Sequence, residues 1–181
     1  MYVSRVKLRL LLLVTIVFAL PAIPSASFAE VEGGEDVVRQ ALFLSGGAVY
    51  VPEGTGHADV EEGRWVGTVG IGYKYKLREP WSLAVVVEVE LDEYLVYESG
   101  LVREYPVILA GLAHIETAPR LSLYTGFGAE IETHETLALF RAGVNYEIQI
   151  KELWAIAPTF YFDLTKEYAK FAIAVEFGRW L

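Results

Sequence analysis

Charged side chains recur inside segments that are otherwise apolar, and these are the residues best suited to bind ions or take part in chemistry. Arg141 stands between Phe140 and Ala142 in such a segment. A guanidinium has five hydrogen-bond donors and suits a position shared between two carboxylates. The other members of the set are Lys74, Lys76, Glu88, Glu90, Glu130 and Asp163. These residue types predict a network of ion pairs, provided that the fold brings their segments together.

The three histidines are separated in the sequence and are weaker candidates. The segment around His57 also contains Glu53, Asp59, Glu61 and Glu62. Such a segment could attract a divalent cation, although a solvated acidic loop has the same composition. We expect His114 to form a hydrogen bond with a neighbour such as Tyr124. The absence of cysteine excludes a disulfide framework, a thiolate metal site and a cysteine nucleophile, and we predict no metal centre and no cofactor.

The composition excludes two classes of protein. The chain has 181 residues, of which 54% are hydrophobic and 22% charged, with a formal net charge of −9. A disordered chain would contain far fewer apolar residues, and a nucleic-acid-binding protein would carry a basic excess. A chain of this length is expected to form one domain.

The N-terminal residues have the pattern of a secretory signal peptide. Arg5, Lys7 and Arg9 precede an apolar run from residue 10 to residue 20, and Ser27-Phe28-Ala29 supplies the small residues of a cleavage site. The run is too short for a membrane-spanning helix, which needs about 20 residues. We therefore predict a signal peptide over residues 1–29 and a mature domain over residues 30–181. Cleavage would remove three of the 15 basic residues and no acidic residue, which takes the net charge from −9 to −12.

Apolar residues alternate with polar or small residues throughout the mature chain. Between Trp65 and Leu77 the odd-numbered residues are mostly apolar, and the even-numbered ones include two glycines and two lysines. A period of two is typical of β-strands with one apolar face. Eight segments are predicted as strands: residues 38–51, 65–77, 82–97, 105–117, 121–133, 137–150, 155–165 and 171–177. The connections after the second, fourth and sixth segments are tight, which places those turns on the same side as both termini.

Three features predict that the apolar face is outside, against lipid. The polar faces carry glycines at positions 70, 72, 126, 128, 143 and 178, as the narrow interior of an eight-stranded barrel requires. The segments are about ten residues long, which suits a tilted membrane strand. Aromatic residues gather at the segment ends, with Trp81, Trp154 and Trp180 on the side of the tight turns and Trp65, Tyr97 and Tyr105 on the other. A soluble, lipocalin-like periplasmic carrier is the alternative.

Centring each hairpin on its turn predicts which interior charges meet. Arg141 is placed opposite Glu130 on one neighbouring strand and opposite Asp163 on the other, and Asn145 is placed opposite Thr159. Lys74 and Lys76 are expected in the same lumen as Glu88 and Glu90. Two interpretations remain open. The network either closes the lumen as a plug or gate, or it fills an interior whose apolar side chains face lipid.

The glycine-rich strand Tyr124-Thr125-Gly126-Phe127-Gly128 and the C-terminal run from Phe171 to Leu181 carry a resemblance to a known family. The chain resembles the small eight-stranded outer-membrane β-barrels of Gram-negative-type bacteria. The resemblance implies an all-β antiparallel transmembrane barrel in the outer membrane. It also implies contact with outer-membrane lipid, recognition of the C-terminal strand by the barrel-assembly machinery, a monomer, and no nucleic-acid partner.

The resemblance leaves the function open among three classes. We expect a structural, adhesive or weakly permeating role without catalysis. The first alternative is an enzyme acting on lipid A, because His134-Glu135-Thr136 with Glu147 resembles the His-x-Ser pair and distant glutamate of lipid A deacylases, with threonine in place of serine. The second alternative is a channel or carrier for small solutes.

Overall fold

A computed structural model describes residues 40–52, 54–55, 63–96, 100–132 and 135–181. The predicted signal peptide over residues 1–29 lies outside the described residues, as do His57, Tyr97 and His134. The domain boundary after residue 29 therefore stays a prediction. Among the described residues, no helix has the length and apolar character needed to cross a membrane.

The described residues form one large antiparallel sheet and one small sheet. The strands are β1 (Gln40–Val51), β2 (Gly54–Thr55), β3 (Arg64–Arg78), β4 (Trp81–Glu90), β5 (Glu93–Val96), β6 (Leu101–Glu104), β7 (Val107–Ala118), β8 (Leu121–Ile131), β9 (Thr136–Tyr146), β10 (Ile148–Lys151), β11 (Trp154–Leu164) and β12 (Ala169–Trp180). The large sheet has the order β10-β11-β12-β1-β3-β4-β7-β8-β9. Because β10 continues β9 and β9 also pairs with β11, the sheet closes into an eight-stranded barrel. The predicted fold class is confirmed.

The third predicted segment, residues 82–97, is not one strand, and this prediction is wrong. β4 ends at Glu90, whose N–H donates to the carbonyl of Pro106 at 3.1 Å. Proline has no N–H with which to continue the ladder. The carboxylate of Asp92 then accepts the N–H of Glu93 at 2.9 Å, a local bond that turns the chain away from the barrel wall. Residues 93–96 become β5, which belongs to the small sheet β2-β5-β6.

The two ends of the barrel differ in their connections. Tight connections join β3 to β4, β7 to β8 and β10 to β11, at the end where β1 begins and β12 finishes. We call this the turn end. The longer connections and the small sheet lie at the opposite end, which we call the loop end. This arrangement agrees with the alternation of connection lengths in the sequence.

The outer face of the barrel is apolar and the inner face carries the charges. Ile173 is 58% exposed on the outer face of β12, whereas its neighbours Ala172 and Ala174 are buried. Across the barrel, Glu88 is buried between the outward-facing Val87 and Val89. A soluble barrel would show the opposite arrangement. The predicted facing of the strands is therefore confirmed.

Aromatic side chains lie near both ends of the outer face. At the turn end, Trp81 and Trp154 begin β4 and β11 and are partly exposed, and the Trp154 ring stacks on Phe177 with centroids 5.0 Å apart. At the loop end, Trp65 is 56% exposed and its ring centroid lies 5.1 Å from that of Tyr50. Aromatic belts at two levels fit the two interfaces of a bilayer.

Glycines on the inner face allow neighbouring strands and side chains to approach closely. A β-carbon added to Gly126 would collide with the carbonyl oxygen of Gly111 on β7. A β-carbon added to Gly128 would collide in the same way with the backbone of Leu109 and Ala110. Gly111 itself faces outward, where an added β-carbon would meet nothing within 4 Å. At these positions the space available requires glycine on the inner face of the barrel but not on the outer face.

We predict that Gly126→Ala destabilises the barrel and Gly111→Ala does not. Overpacking at Gly126 should cost about 1–3 kcal/mol of unfolding free energy. Alanine at the open position should be neutral or stabilise the strand by about 0.5–1 kcal/mol, because glycine loses more backbone entropy on folding. Urea-induced unfolding of both variants in lipid vesicles measures the difference. Equal effects at the two positions would contradict the assignment of faces.

We predict that Ile173→Arg is costly because the side chain would enter hydrocarbon. Arginine at the middle of the lipid face of a barrel costs about 2–4 kcal/mol. The matched control is Val102→Arg, at a partly exposed position of β6 outside the barrel wall, where a change within about 0.5 kcal/mol is expected. Unfolding free energies in vesicles provide the comparison. An Ile173→Arg variant as stable as the control would show that the inner and outer faces of β12 have been assigned the wrong way round.

Candidate functional site

Arg141 occupies the middle of the lumen and joins two carboxylates. Its Nε and Nη2 donate to Oδ1 and Oδ2 of Asp163 at 2.7 and 2.8 Å. Its Nη1 lies 2.6 Å from Oε2 of Glu88. Asp163 is directly opposite Arg141 in the pairing of β9 with β11, and Asn145 is opposite Thr159, so the predicted register of these strands is confirmed.

Glu88 reaches Arg141 from across the barrel, because β4 and β9 are not neighbours in the sheet. The hydroxyl of Tyr161 donates to Oε2 of Glu88 at 3.2 Å, and the Arg141 Cζ lies 4.0 Å from the centroid of the Tyr161 ring. Arg141, Glu88 and Asp163 are 2%, 5% and 1% exposed. These side chains form a connected layer through the interior, which we call the Arg141 layer.

The predicted contact between Arg141 and Glu130 is wrong. In the pairing of β8 with β9, Arg141 lies opposite Gly126, and Glu130 lies opposite Leu137. The register differs because the hairpin is centred two residues earlier than predicted. Ile131 lies opposite Thr136 instead of Phe140, and the N–H of Glu132 donates to the carbonyl of Glu135 at 3.1 Å. In the observed register a large inner side chain faces a glycine.

Glu130 belongs to a second layer, nearer the loop end. Lys170 Nζ lies 2.7 Å from its Oε2, and Arg103 Nη2 lies 2.6 Å from its Oε1. The Tyr168 hydroxyl also donates to Oε1. Arg103 Nη1 lies 3.0 Å from Oε2 of Glu132. One buried carboxylate thus holds two cations from different parts of the chain.

Glu90 completes this second layer, which we call the Lys170 layer. Lys170 forms an ion pair with Glu90 as well as with Glu130. The Tyr94 hydroxyl donates to Oε2 of Glu90 at 2.8 Å and lies 3.0 Å from the Tyr168 hydroxyl. All five side chains are buried. Buried charges are tolerated when they are paired in this way.

Lys170 and Arg103 are not among the residues that the sequence predicts in the network. Lys170 follows the inner alternation of β12, in which residues 170, 172 and 174 are buried. Extending the predicted last strand backwards by one residue would have found it. Arg103 lies on β6, outside the barrel wall, and no periodic signal in the sequence points to it.

Lys74 and Lys76 face the lumen side of β3 but do not join the acidic residues of β4. Lys74 lies opposite Ala84, whereas Glu88 lies opposite Gly70, four positions away. Lys76 instead pairs with Glu79 in the adjacent turn at 3.0 Å. Lys74 is buried and lines a small cavity at the turn end, of about 30 Å³, whose other lining residues include Glu147, Glu176 and Trp180.

His114 does not form the expected hydrogen bond with Tyr124. The two rings are stacked, with centroids 4.8 Å apart and an interplanar angle of 29°. Neither ring nitrogen of His114 has a hydrogen-bond partner among the described residues. The register explains the contact, because His114 lies directly opposite Tyr124 in the pairing of β7 with β8 and neighbouring side chains on one face of a sheet pack side by side.

The rim of the loop end carries ion pairs that are partly exposed to solvent. Arg64 Nη2 lies 2.6 Å from Oδ2 of Asp92, and this hydrogen bond holds the pKa of Asp92 below its usual value. Lys166 lies 3.2 Å from Glu167 and 3.6 Å from Glu135. Because solvent screens such pairs, they contribute little to stability.

Thr136 and Glu147, two residues of the enzymatic alternative, lie at opposite ends of the barrel. Thr136 is the first residue of β9, and Glu147 follows its last residue at the other end of the barrel. Eleven residues of strand span roughly 36 Å at about 3.3 Å per residue. Glu147 instead accepts the indole N–H of Trp180 at 3.1 Å. Within the described residues, no group of three or more His, Asp or Glu side chains could hold a metal ion.

No protein-family profile and no curated protein sequence matches the chain, but solved structures do. The attachment invasion locus protein Ail of Yersinia pestis, in complex with the heparin analogue sucrose octasulfate, is 11% identical with a TM-score of 0.51, covering 78% of this chain and 97% of that one. The N-terminal β-barrel domain of Pseudomonas aeruginosa OprF is 14% identical with a TM-score of 0.47, covering 78% and 96%. Neisserial surface protein A is 10% identical with a TM-score of 0.43, covering 83% and 100%. The chain has the fold of the small eight-stranded outer-membrane β-barrels.

We predict that Arg141→Ala lowers the unfolding free energy by about 3–5 kcal/mol, because it leaves Glu88 and Asp163 buried without their cation. Water that enters the lumen and hydrates these carboxylates would reduce the loss. Adding Glu88→Gln should restore part of the loss by removing one of the two uncompensated charges. Adding Glu130→Gln instead is the matched control and should restore nothing, because Glu130 binds Lys170 and Arg103. Urea titrations of the four proteins in vesicles measure these differences; equal rescue by both glutamines would show that the two layers are not separate.

Proposed function

We propose that this protein is a structural barrel of the outer membrane whose lumen is closed by buried ion pairs, and that it has no catalytic activity. The observation that carries the proposal is the Arg141 layer, in which one guanidinium connects Glu88 and Asp163 from different walls of the barrel. The apolar outer face supports lipid as the main partner. The turn end would then face the periplasm and the loop end the exterior, as in other outer-membrane barrels.

The interior described here leaves little room for a solute. The Arg141 layer and the Lys170 layer follow one another along the lumen. On β9, the buried Leu137 lies opposite Glu130 of the Lys170 layer, and the buried Leu139 lies between Leu137 and Arg141. The cavity of about 30 Å³ beside Lys74 has room for water but not for an organic molecule. This packing favours a closed barrel over the channel and carrier alternatives.

The outer face of β12 supports a proposal about assembly. Phe171, Ile173, Val175 and Phe177 form an apolar row along this last strand, which pairs with β1 and β11 to close the barrel. We propose that the barrel-assembly machinery recognises this strand. The monomeric state and the absence of a cofactor stay predictions.

Conductance measurements test the closed lumen. The wild-type protein, reconstituted into planar bilayers, should produce no resolved current steps above those of a protein-free control. Flotation of parallel vesicles establishes that the protein has inserted, and protein denatured before reconstitution is the matched negative control. Current steps whose frequency rises with the amount of inserted wild-type protein would overturn the proposal and favour the channel alternative.

A further inference from the structure

The hairpin of β5 and β6 leaves the barrel wall and returns to its mouth. Glu93 pairs with Glu104, Tyr94 with Arg103 and Val96 with Leu101, while Gly54 of β2 pairs with Val96 on the other side. None of these strands belongs to the barrel sheet. The closure of the eight-stranded ring therefore does not depend on them.

One face of this hairpin is buried in the barrel mouth. Tyr94, Val96 and Arg103 are all 0% exposed, whereas Val102, on the opposite face, is 44% exposed. The ring of Tyr94 packs edge-on against the ring of Tyr168, with centroids 6.3 Å apart, and both belong to the buried hydrophobic cluster. The hairpin is thus seated with an apolar contact as well as a charged one.

Arg103 carries a charge from the hairpin into the lumen. Its Nη2 and Nη1 lie 2.6 Å from Glu130 and 3.0 Å from Glu132, and both glutamates come from the barrel chain around the end of β8. Lys170 gives Glu130 a second cation. For Glu132, Arg103 is the one cation in contact among the described residues, so losing Arg103 would leave a buried carboxylate uncompensated.

We propose that the β5–β6 hairpin is a stopper that closes the outer mouth of the barrel, and that Arg103 is the residue that anchors it. The inference deepens the proposed closed lumen and rests on it. Because the wall strands make their ladders without β5 or β6, releasing the hairpin should open the mouth while the barrel stays folded. The residues beneath the hairpin, such as Leu137, would then become accessible from the exterior.

A cysteine substituted for Leu137 would show whether the hairpin closes the mouth of the barrel. The chain contains no cysteine, so Leu137→Cys offers one thiol to a membrane-impermeant maleimide added outside vesicles. Labelling should be slow in this background and rise by at least about tenfold when Arg103→Ala is added, which corresponds to roughly 1.4 kcal/mol. Arg103→Lys should give an intermediate rate, since it keeps the charge but not the fork of donors. Arg78→Ala, an exposed arginine at the turn end, should leave the rate unchanged.

The possible results distinguish a failure of the stopper proposal from a failure of the closed-lumen proposal. Circular dichroism of each variant first establishes that the barrel is folded, and Glu132→Gln, which weakens the Arg103 anchor from the barrel side, replaces Arg103→Ala if that variant does not fold. Equally slow labelling with and without the anchor would overturn the stopper, while silent wild-type bilayers would still support a closed lumen. Fast labelling of Leu137→Cys with Arg103 present would also overturn the stopper. Current through the wild-type protein would overturn the closed lumen itself.

Discussion

The narrow interior of a ring of eight strands governs the arrangement of the buried charges that the structure describes. A guanidinium on β9 can contact a carboxylate of the neighbouring β11 and another of β4, which is not its neighbour. Charges buried in so small a space must be paired, because an isolated one would lose its hydration without compensation. The same lack of space explains the inner glycines, whose replacement would push side-chain atoms into the next strand.

The lumen is organised in layers that use different chemistry. At the turn end, Lys74 faces a small cavity, while the Arg141 layer in the middle is a compact group of two acids, one base and a tyrosine. The Lys170 layer adds tyrosine hydroxyls to its ion pairs. In both charged layers one cation is shared by two carboxylates. A few basic residues can therefore pair with a larger number of buried acidic ones.

The small sheet β2-β5-β6 contributes a side chain to this interior from outside the barrel wall. Its hairpin is the source of Arg103, so the second layer is completed by a segment that the barrel wall does not contain. Partly exposed pairs such as Arg64 with Asp92 lie where the chain leaves the wall. Solvent weakens those outer pairs, whereas the buried bonds of Arg103 act in a medium that strengthens them.

The alternation of residues by itself determined the eight wall strands, except for where the third one ends. It also determined the apolar outer face and the inner position of Arg141, because a period of two assigns each side chain to a face without knowledge of its neighbours. The pairing of Arg141 with Asp163 was also predictable, since a tight turn constrains the register. Only the tertiary structure decided that Glu130 binds Lys170 and Arg103. That outcome depended on one turn closed between Glu132 and Glu135 and on contacts across the ring. Such contacts join residues distant in sequence, so no local pattern specifies them.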